Sequence, residues 1–356
     1  MSAAMKSEIV AAEPAVERVL RPMPKEGDNG LYTQSWYPIC LSDEVGTGQV
    51  IGREFLGGRV IVFRGENGEA SVLSPYCTHM GMDLSFGEVV GNNIRCRYHH
   101  YEFGADGRCT KTGWDQPVPQ GACQFSFPTR DRYGIIWAFN GTKPLFELPD
   151  MALPDEELVF ESWATEPTVP CSPTEVFVQV ADWGHLRFMH EGTVQTTEKQ
   201  QNMKPDFKFN QYDFGYEVAG MTLAGKERGK EGGQEFPQVK IYVHGTTIIH
   251  IETYVQGNWA GIIGTTALRG PGKTQIFGAV AVSRGDGSPE AAEKAQQQLA
   301  FHKKQVQVTG AEDYVIYENI RFAPGALTEI DDMVVKYLDY VAAFPRANPA
   351  ANFIYG

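Results

Sequence analysis

Two pairs of cysteine and histidine residues lie close together in the first third of the sequence. Cys77-Thr78-His79 is followed, after 16 residues, by Cys96-Arg97-Tyr98-His99. Each pair offers one thiol and one imidazole, so two neighbouring loops could supply four ligands to a metal centre. An iron–sulfur cluster with two thiolates on one iron and two imidazoles on the other has a higher reduction potential than an all-thiolate cluster. Tetrahedral zinc is the alternative, although zinc motifs usually group cysteines with cysteines and histidines with histidines.

A second group of candidate ligands begins at Asp182, which is followed by His185 and His190. Two histidines and a carboxylate on one face of a metal leave positions open for dioxygen and substrate. The histidines are five residues apart, about 140° on an ideal helix, so a helix carrying both must bend. By spacing alone the signal is weak, because two histidines in an amphipathic segment are more often core or surface residues. The alternative for Asp182 is a stabilising carboxylate at a helix start.

The composition excludes several functional classes. The formal net charge of −13 argues against non-specific nucleic-acid binding. No apolar run is long enough to cross a bilayer, and the first 25 residues contain no apolar h-region, so we expect no membrane segment and no secretory signal. Six cysteines in 356 residues are too sparse for a disulfide scaffold and favour reduced thiols in the cytoplasm. Cys40, Cys109, Cys123 and Cys171 have no partner at ligand spacing and are expected to be structural thiols.

The elements that must position these residues fall into two parts. Residues 1–30 form a polar tail, residues 31–145 predict a small all-β domain with Gly-rich turns, and residues 146–356 follow a Pro-rich crossing. The second part predicts a helix from Glu175 to His190, a sheet, and later helices. Helix starts are predicted at Ser288-Pro289 and at Thr309, which has Glu312 three residues on. The predicted strands are Val60–Phe63, Ala70–Leu73, Tyr133–Phe139, Gln238–Tyr242, Thr246–Val255 and Thr274–Val282.

Two polar segments, 192–204 and 224–233, are expected to be solvated surface loops, with a lid as the alternative. Phe188, Tyr242, His244 and Ile248 are candidates for lining a pocket, with ordinary core packing as the alternative.

Together the two motifs resemble those of Rieske-type non-haem iron oxygenases, specifically the oxygenase (α) component. The resemblance implies an α+β protein with an N-terminal all-β Rieske domain and a C-terminal helix-grip domain of the START/Bet v1 kind, built on an antiparallel sheet. It implies a [2Fe–2S] cluster on Cys77, His79, Cys96 and His99. His100 is then expected to pack beside the cluster or support it rather than bind iron.

The resemblance also implies a mononuclear Fe(II) centre with His185 and His190 as ligands. Family members take a third ligand from a helix near the C-terminus, where Asp313 matches best; Glu312 is a rival, and Asp331 and Asp332 are poorer candidates. Asp182 would not be a ligand but an electron bridge from His185 to His99 of the partner subunit. Gln179 stands where the family often carries Asn.

The C-terminal residues look most similar to members without a β subunit, such as ketosteroid hydroxylases, demethylating monooxygenases and the aminopyrrolnitrin N-oxygenase. The resemblance implies monooxygenation (hydroxylation, demethylation or N-oxygenation) of a small, aromatic or heterocyclic substrate with dioxygen. A separate ferredoxin or NAD(P)H reductase would supply electrons, and the chains would form a head-to-tail ring, often a homotrimer. A ring cis-dihydroxylating dioxygenase is the alternative. The non-enzyme alternatives are a Rieske electron carrier and a ligand-binding helix-grip protein.

Overall fold

A computed structural model describes Met23 and residues 25–190, 206–210, 214–219, 239–255 and 258–355. The predicted loops at 192–204 and 224–233, and all but the end of the predicted N-terminal tail, lie outside the described residues.

The N-terminal half is built from short antiparallel strands, as the turn-rich sequence predicts. They form a four-stranded sheet in the order β10-β5-β4-β3, a three-stranded sheet β11-β12-β2, and a four-stranded sheet β6-β7-β8-β9. The strands are β1 (Tyr32–Thr33), β2 (Trp36–Leu41), β3 (Val50–Phe55), β4 (Gly58–Arg64), β5 (Ala70–Leu73), β6 (Glu88–Val90), β7 (Asn93–Arg95), β8 (Glu102–Phe103), β9 (Cys109–Lys111), β10 (Ser126–Phe127), β11 (Thr129–Arg132) and β12 (Ile135–Phe139). The strands predicted around Val60, Ala70 and Ile135 are confirmed.

The C-terminal half contains one antiparallel seven-stranded sheet in the order β13-β19-β18-β17-β16-β15-β14. Its strands are β13 (Leu158–Ala164), β14 (Asp206–Asn210), β15 (Gly215–Ala219), β16 (Lys240–His244), β17 (Ile248–Val255), β18 (Asn258–Leu268) and β19 (Thr274–Ser283). A short strand β20 (Arg346–Ala347) pairs with β1 and brings the end of the chain back to the N-terminal half. The α+β fold class is therefore confirmed, while the boundary at residue 145 stays a prediction.

Five α-helices accompany the sheets in the described residues: α1 (Pro173–Ala181), α2 (Trp183–Phe188), α3 (Pro289–Asn319), α4 (Asp332–Ala343) and α5 (Ala351–Ile354). Ser288 caps α3 as predicted, because its side chain accepts a hydrogen bond from the Ala291 N–H. The helix start predicted at Thr309 is wrong. Thr309 lies inside α3, whose buried face continues past it to Asp313 and Tyr317. The backbone N–H groups around Thr309 are therefore already paired within the helix and need no cap. None of the described helices is both long and apolar enough to span a bilayer.

The seven-stranded sheet is covered on both faces. Ile263, Phe277 and Ala279 pack on one face against Trp36 and Trp137 of the N-terminal half. The helices α1 and α4 cover the other face, where Ile241 and Val243 lie in one cluster with residues of both helices.

The pocket-lining role considered for Ile248 is wrong. Ile248 is fully buried on the N-terminal-domain face, in the same cluster as Trp36. Tyr242 and His244 have the same strand parity as Ile248 and lie on that face too. Core packing, the alternative for these residues, fits their position, because the sheet itself separates them from the helices.

A line of buried hydroxyls joins the two halves where β2 crosses the sheet. The Oγ1 atoms of Thr33 and Thr246 are 2.7 Å apart, and Ser35 Oγ lies 2.8 Å from Thr247 Oγ1. Thr247 also donates to the Trp36 carbonyl oxygen. Buried polar groups are stabilising only while paired, so this junction depends on each member of the line.

We predict that Thr247→Val destabilises the protein by about 1–3 kcal/mol, because the buried Ser35 hydroxyl and Trp36 carbonyl lose their partner while the side-chain volume is kept. Thr47→Val, at an exposed position, is the control and should change stability by less than about 0.5 kcal/mol. Chemical denaturation of the two variants measures the difference. Equal effects would show that the hydroxyl line does not hold the junction.

Candidate functional site

The four predicted cluster ligands lie on two loops with the same backbone hydrogen bonds. The Cys77 N–H donates to the Met82 carbonyl oxygen and the Gly81 N–H to that of Cys77, at 2.9 and 2.8 Å. In the second loop, between β7 and β8, the Cys96 N–H donates to Tyr101 O and the His100 N–H to Cys96 O, at 2.8 and 3.0 Å. The two loops thus present their Cys and His side chains in equivalent ways.

The fifth residue of each loop has a left-handed backbone. Gly81 has a φ of 77° and His100 a φ of 56°. A positive φ suits glycine and is unfavourable for residues with a Cβ. His100 is also exposed, so the expectation that it packs beside the cluster is wrong. Its backbone closes the second loop at the place that Gly81 holds in the first.

The four side chains are arranged from the interior to the surface. Cys77 and Cys96 are buried in an apolar cluster with Ile61 and Phe103, whereas the rings of His79 and His99 lie farther out, with centroids 4.7 Å apart. Tyr101 stacks on His79 at 4.5 Å. A cluster here would have a shielded thiolate side and an accessible imidazole side.

The chemistry of the donor set fits an iron–sulfur cluster better than a single ion. A hydrogen bond between the two thiols lowers the pKa of Cys96 to about 6 and raises that of Cys77, so one sulfur is readily available as thiolate. Four ligands of one tetrahedral zinc would crowd within about 4 Å of one another. Among the described residues these four do not form such a compact group, whereas three residues elsewhere have ligand atoms within 4.8 Å of one another. The wider arrangement suits two irons bridged by sulfide.

That compact group is His185, His190 and Asp313, whose ligand atoms lie within 4.8 Å of one another. His185 lies on α2, His190 follows just after it, and Asp313 comes from the inward face of α3. The spacing of the two histidines requires the helix to bend between them, and in the structure the helix α2 ends there instead. Because α2 stops at Phe188, His190 can turn back towards His185, and their ring centroids lie 5.1 Å apart.

Hydrogen bonds fix which imidazole nitrogens face the centre. Nδ1 of His185 lies 2.6 Å from the Asp182 carbonyl oxygen, and Nδ1 of His190 lies 2.7 Å from Glu312 Oε2. Both Nε2 atoms are left facing Asp313 Oδ1, at 3.9 Å from His185 and 3.1 Å from His190. Asp313 Oδ1 is buried and has no hydrogen-bond partner among the described residues. The Nε2 atoms of the two histidines and Oδ1 of Asp313 thus direct their lone pairs into one common space, and this arrangement fits a cation.

The histidines differ in their electrostatic surroundings. Burial lowers the pKa of His185, opposed by the Asp182 carbonyl and by Asp313. Burial also acts to lower the pKa of His190, but the carboxylates of Asp313 and Glu312 outweigh it and raise the pKa. His190 is therefore held against two carboxylates, one on each side of its ring.

Asp182 lies between α1 and α2 and has a capping role. Its carboxylate accepts a hydrogen bond from the His185 backbone N–H at 3.1 Å. Asp182 thus fills the helix-capping role that was the alternative to a role at the metal. The ring of His185 is oriented by the Asp182 main-chain carbonyl rather than by its carboxylate. Gln179, one turn earlier on α1, is buried, and its Oε1 has no hydrogen-bond partner among the described residues. The electron-bridge role of Asp182 and the supporting role of Gln179 stay predictions.

The structure separates the candidates for the third ligand. Glu312 contacts the far nitrogen of His190, so it supports the histidine instead of facing the centre. Asp331 caps its own short helix through Thr328, and Asp332 pairs with Lys336. The sequence offered Glu312 only as a rival third ligand, and its contact with Nδ1 of His190 is seen only in the folded chain.

Comparison with known proteins agrees with this geometry. Residues 35–122 match the family described as the Rieske [2Fe-2S] domain. The oxygenase component of 3-ketosteroid-9-alpha-monooxygenase from Rhodococcus rhodochrous is 27% identical over 165 residues, which is 45% of this chain and 43% of that protein. A putative toluene-4-sulfonate monooxygenase system iron-sulfur subunit from Comamonas testosteroni is 29% identical over 184 residues, 49% of this chain and 51% of that protein. The chain thus spans about half the length of these relatives.

Solved structures share the fold over most of the chain. NdmA of Pseudomonas putida CBB5 superposes with a TM-score of 0.66 at 18% identity, covering 87% of this chain and 89% of NdmA. Dicamba monooxygenase bound to dicamba gives a TM-score of 0.58 at 19% identity, covering 87% and 96%. The chain carries a Rieske domain, and its two halves together adopt the fold of these proteins.

We predict that Glu312→Gln weakens iron retention by about 10–100-fold, because removing the carboxylate behind His190 makes that imidazole a poorer ligand. Chelator competition, followed by iron content, measures the affinity. Glu318→Gln, at an exposed position on the same helix, is the matched control and should bind iron as the parent does. Unchanged retention in Glu312→Gln would contradict the supporting role.

Proposed function

We propose that this chain, which carries a Rieske [2Fe-2S] domain on the fold of NdmA and dicamba monooxygenase, is the terminal oxygenase component of a multicomponent system. It would monooxygenate a small organic substrate by hydroxylation, demethylation or N-oxygenation. The observation that carries the proposal is the convergence of His185, His190 and Asp313 in a protein that also has a Rieske domain. Two histidines and one carboxylate leave open positions on an iron, as oxygen chemistry requires.

The residues that would hold the two groups are Cys77, His79, Cys96 and His99 for the cluster, and His185, His190 and Asp313 for the iron. When bound, the cluster supplies single electrons at a raised potential and the iron supplies dioxygen chemistry.

The protein's own contribution is orientation and burial. The Asp182 carbonyl and Glu312 hold the Nδ1 atoms of the two histidines, so that each Nε2 stays free to bind. His190 is buried and Asp313 nearly so, which keeps bulk water from the ligand atoms. Asp182 holds the start of α2 and is partly exposed, so its carboxylate can also meet a group on another subunit.

Two other functions fit less well. A Rieske electron carrier would not need a second half with a second set of convergent ligands. A ligand-binding helix-grip protein would not need two histidines and an aspartate whose lone pairs face one another. A ring cis-dihydroxylating dioxygenase would use the same ligands, and the relatedness to monooxygenase components favours monooxygenation.

Electrons would come from a separate ferredoxin or NAD(P)H reductase. The relatives are described as a component of a monooxygenase and a subunit of a monooxygenase system, which supports a partner of this kind. We place the protein in the cytoplasm, where its cysteines would stay reduced; all six are free thiols.

A head-to-tail ring, such as a homotrimer, would bring one subunit's cluster to another subunit's iron centre. Two exposed apolar surfaces support this arrangement. Met80, Tyr98 and Trp114 surround the cluster histidines, and Met80 is 64% exposed. Phe188 and Val315 lie beside the iron ligands and are 74% and 54% exposed. Exposed apolar side chains grouped in this way are typical of protein interfaces.

The first experiment is iron and acid-labile sulfide analysis with an EPR spectrum of the dithionite-reduced protein. We expect about three irons and two sulfides per chain and a rhombic spectrum of low average g. His185→Ala should lose one iron and keep the cluster signal, because the two ligand sets are separate. Zinc in place of iron and sulfide would overturn the proposed function.

We predict that Met80→Glu and Val315→Glu each shift the assembly towards monomer in sedimentation experiments, because a buried unpaired carboxylate is unfavourable at an interface. Phe301→Glu is the control, since Phe301 is similarly exposed (48%) and lies two heptads before Val315 on the same outer face of α3. A monomeric parent, or dissociation by Phe301→Glu alone, would count against the head-to-tail ring.

A further inference from the structure

The two candidate centres hold their imidazoles in different ways. At the iron site the Nδ1 atoms of His185 and His190 lie 2.6 and 2.7 Å from an oxygen atom. At the cluster site no hydrogen bond from a described residue reaches the ring of His79 or His99. Apart from their edge-to-face contact with each other, these two rings contact aromatic side chains instead. Because His79 is also exposed, the orientation of its ring depends on those contacts.

Tyr101 makes a face-to-face contact with His79. The ring centroids are 4.5 Å apart, and the ring planes differ by 9°. Offset-stacked rings at this separation attract each other more than their buried area alone accounts for. The contact also restricts rotation of the imidazole, because turning the ring would drive its edge into the phenol ring. The stack therefore fixes the plane in which His79 can offer a nitrogen to a metal.

The stack also connects the two cluster loops. The Tyr101 carbonyl oxygen accepts a hydrogen bond from the Cys96 N–H at 2.8 Å, so its backbone closes the second loop, while its ring crosses to His79 of the first. Met82 has the equivalent backbone place in the first loop, where it accepts from the Cys77 N–H at 2.9 Å. Because methionine has no aromatic ring, this equivalent position cannot form the same stack.

The ring of Tyr101, and not its hydroxyl, makes this contact. The hydroxyl forms no hydrogen bond to a described residue. The side chain is partly buried against the apolar cluster that contains Ile61, Phe103 and the two thiols. A phenylalanine at this position would therefore make the same stack, whereas an aliphatic side chain would leave one face of the imidazole open.

His99 is held by other rings. Tyr98 tilts against it with centroids 3.7 Å apart, and the Trp114 ring lies 5.5 Å away. Trp114 comes from a turn that packs closely on the second loop, since a Cβ on Gly113 would lie 2.1 Å from the His99 carbonyl oxygen. A change at Tyr101 should therefore act on the imidazole of His79 and leave that of His99 in place.

We propose that Tyr101 is a positioning residue of the cluster, whose ring holds the plane of the His79 imidazole and keeps water from one face of it. The proposal rests on the proposed function, since it takes the four predicted ligands to hold a [2Fe-2S] cluster. Such a cluster is neutral when oxidised, because two ferric ions balance two sulfides and two thiolates, and it gains one negative charge on reduction. Water at an opened imidazole face favours the charged, reduced form. Tyr101 thus governs both cluster retention and reduction potential.

The first test compares Tyr101→Leu with Tyr101→Phe in the cluster-loaded protein. We expect Tyr101→Leu to lose its cluster to a chelator about 10-fold faster than the parent, because contacts behind a metal ligand commonly change retention by this much. Visible absorbance follows the loss. Tyr101→Phe should stay within about 2-fold of the parent, since it keeps the stack. Val89→Ala is the matched control, because Val89 is also partly buried against the same apolar cluster.

Two results of this test would overturn the proposal: a parent-like rate in Tyr101→Leu, or rapid loss in Tyr101→Phe. A Tyr101→Leu protein that cannot be loaded, beside a normally loaded Tyr101→Phe, is the extreme of the expected effect.

The second test separates positioning from loop stability. Pulsed EPR of the dithionite-reduced protein measures the coupling of each histidine nitrogen to the cluster, and a redox titration gives the midpoint potential. In Tyr101→Leu we expect one nitrogen coupling to change, the other to stay, and the midpoint potential to rise. Tyr101→Phe should restore the parent values.

Unchanged couplings in Tyr101→Leu, or the same change in Val89→Ala, would overturn the assignment. A parent protein that binds no iron and sulfide would instead contradict the predicted cluster ligands and with them the proposed function, so the two failures are distinct.

Discussion

The requirement that the seven-stranded sheet be covered on both faces organises the whole molecule. Its central strands carry apolar residues at successive positions, so that neither face can be left to water. The N-terminal half covers one face through Trp36 and Trp137, and the helices cover the other. The candidate iron ligands lie on or next to α2 and on α3, and α3 packs against this sheet through Ala295 and Leu299. The N-terminal half, which contains the Rieske domain, thus also stabilises the sheet against which the helices of the second centre pack.

The two candidate centres differ in which of their side chains are buried, and this difference suits the role proposed for each centre. The cluster loops hold their thiols in the interior and their imidazoles near the surface, so the accessible side of the cluster is the side that an electron partner would reach. At the second centre the histidine rings are turned inwards by hydrogen bonds at Nδ1, and the ligand atoms are shielded from solvent. The imidazoles of the first site lie near the protein surface, whereas His190 and Asp313 of the second are buried.

The sequence predicted Cys77, His79, Cys96 and His99 as cluster ligands from their types and spacing, and His185 and His190 as iron ligands from the family resemblance, since local motifs carry residue types and short-range geometry; these assignments stay predictions. It also determined the strand-rich N-terminal half, the α+β class and the start of α3 at Ser288. Features that depend on contacts between distant segments were visible only in the folded chain. The fold placed Glu312 behind His190, a role that the sequence did not predict, and it brought Asp313, the carboxylate that matched the family best, to the two histidines. It also continued α3 through Thr309, because packing against the sheet outweighs a local capping signal, and it turned Ile248 away from the helices. The physical reason is the same each time: which face a residue presents is decided by the partner that buries it.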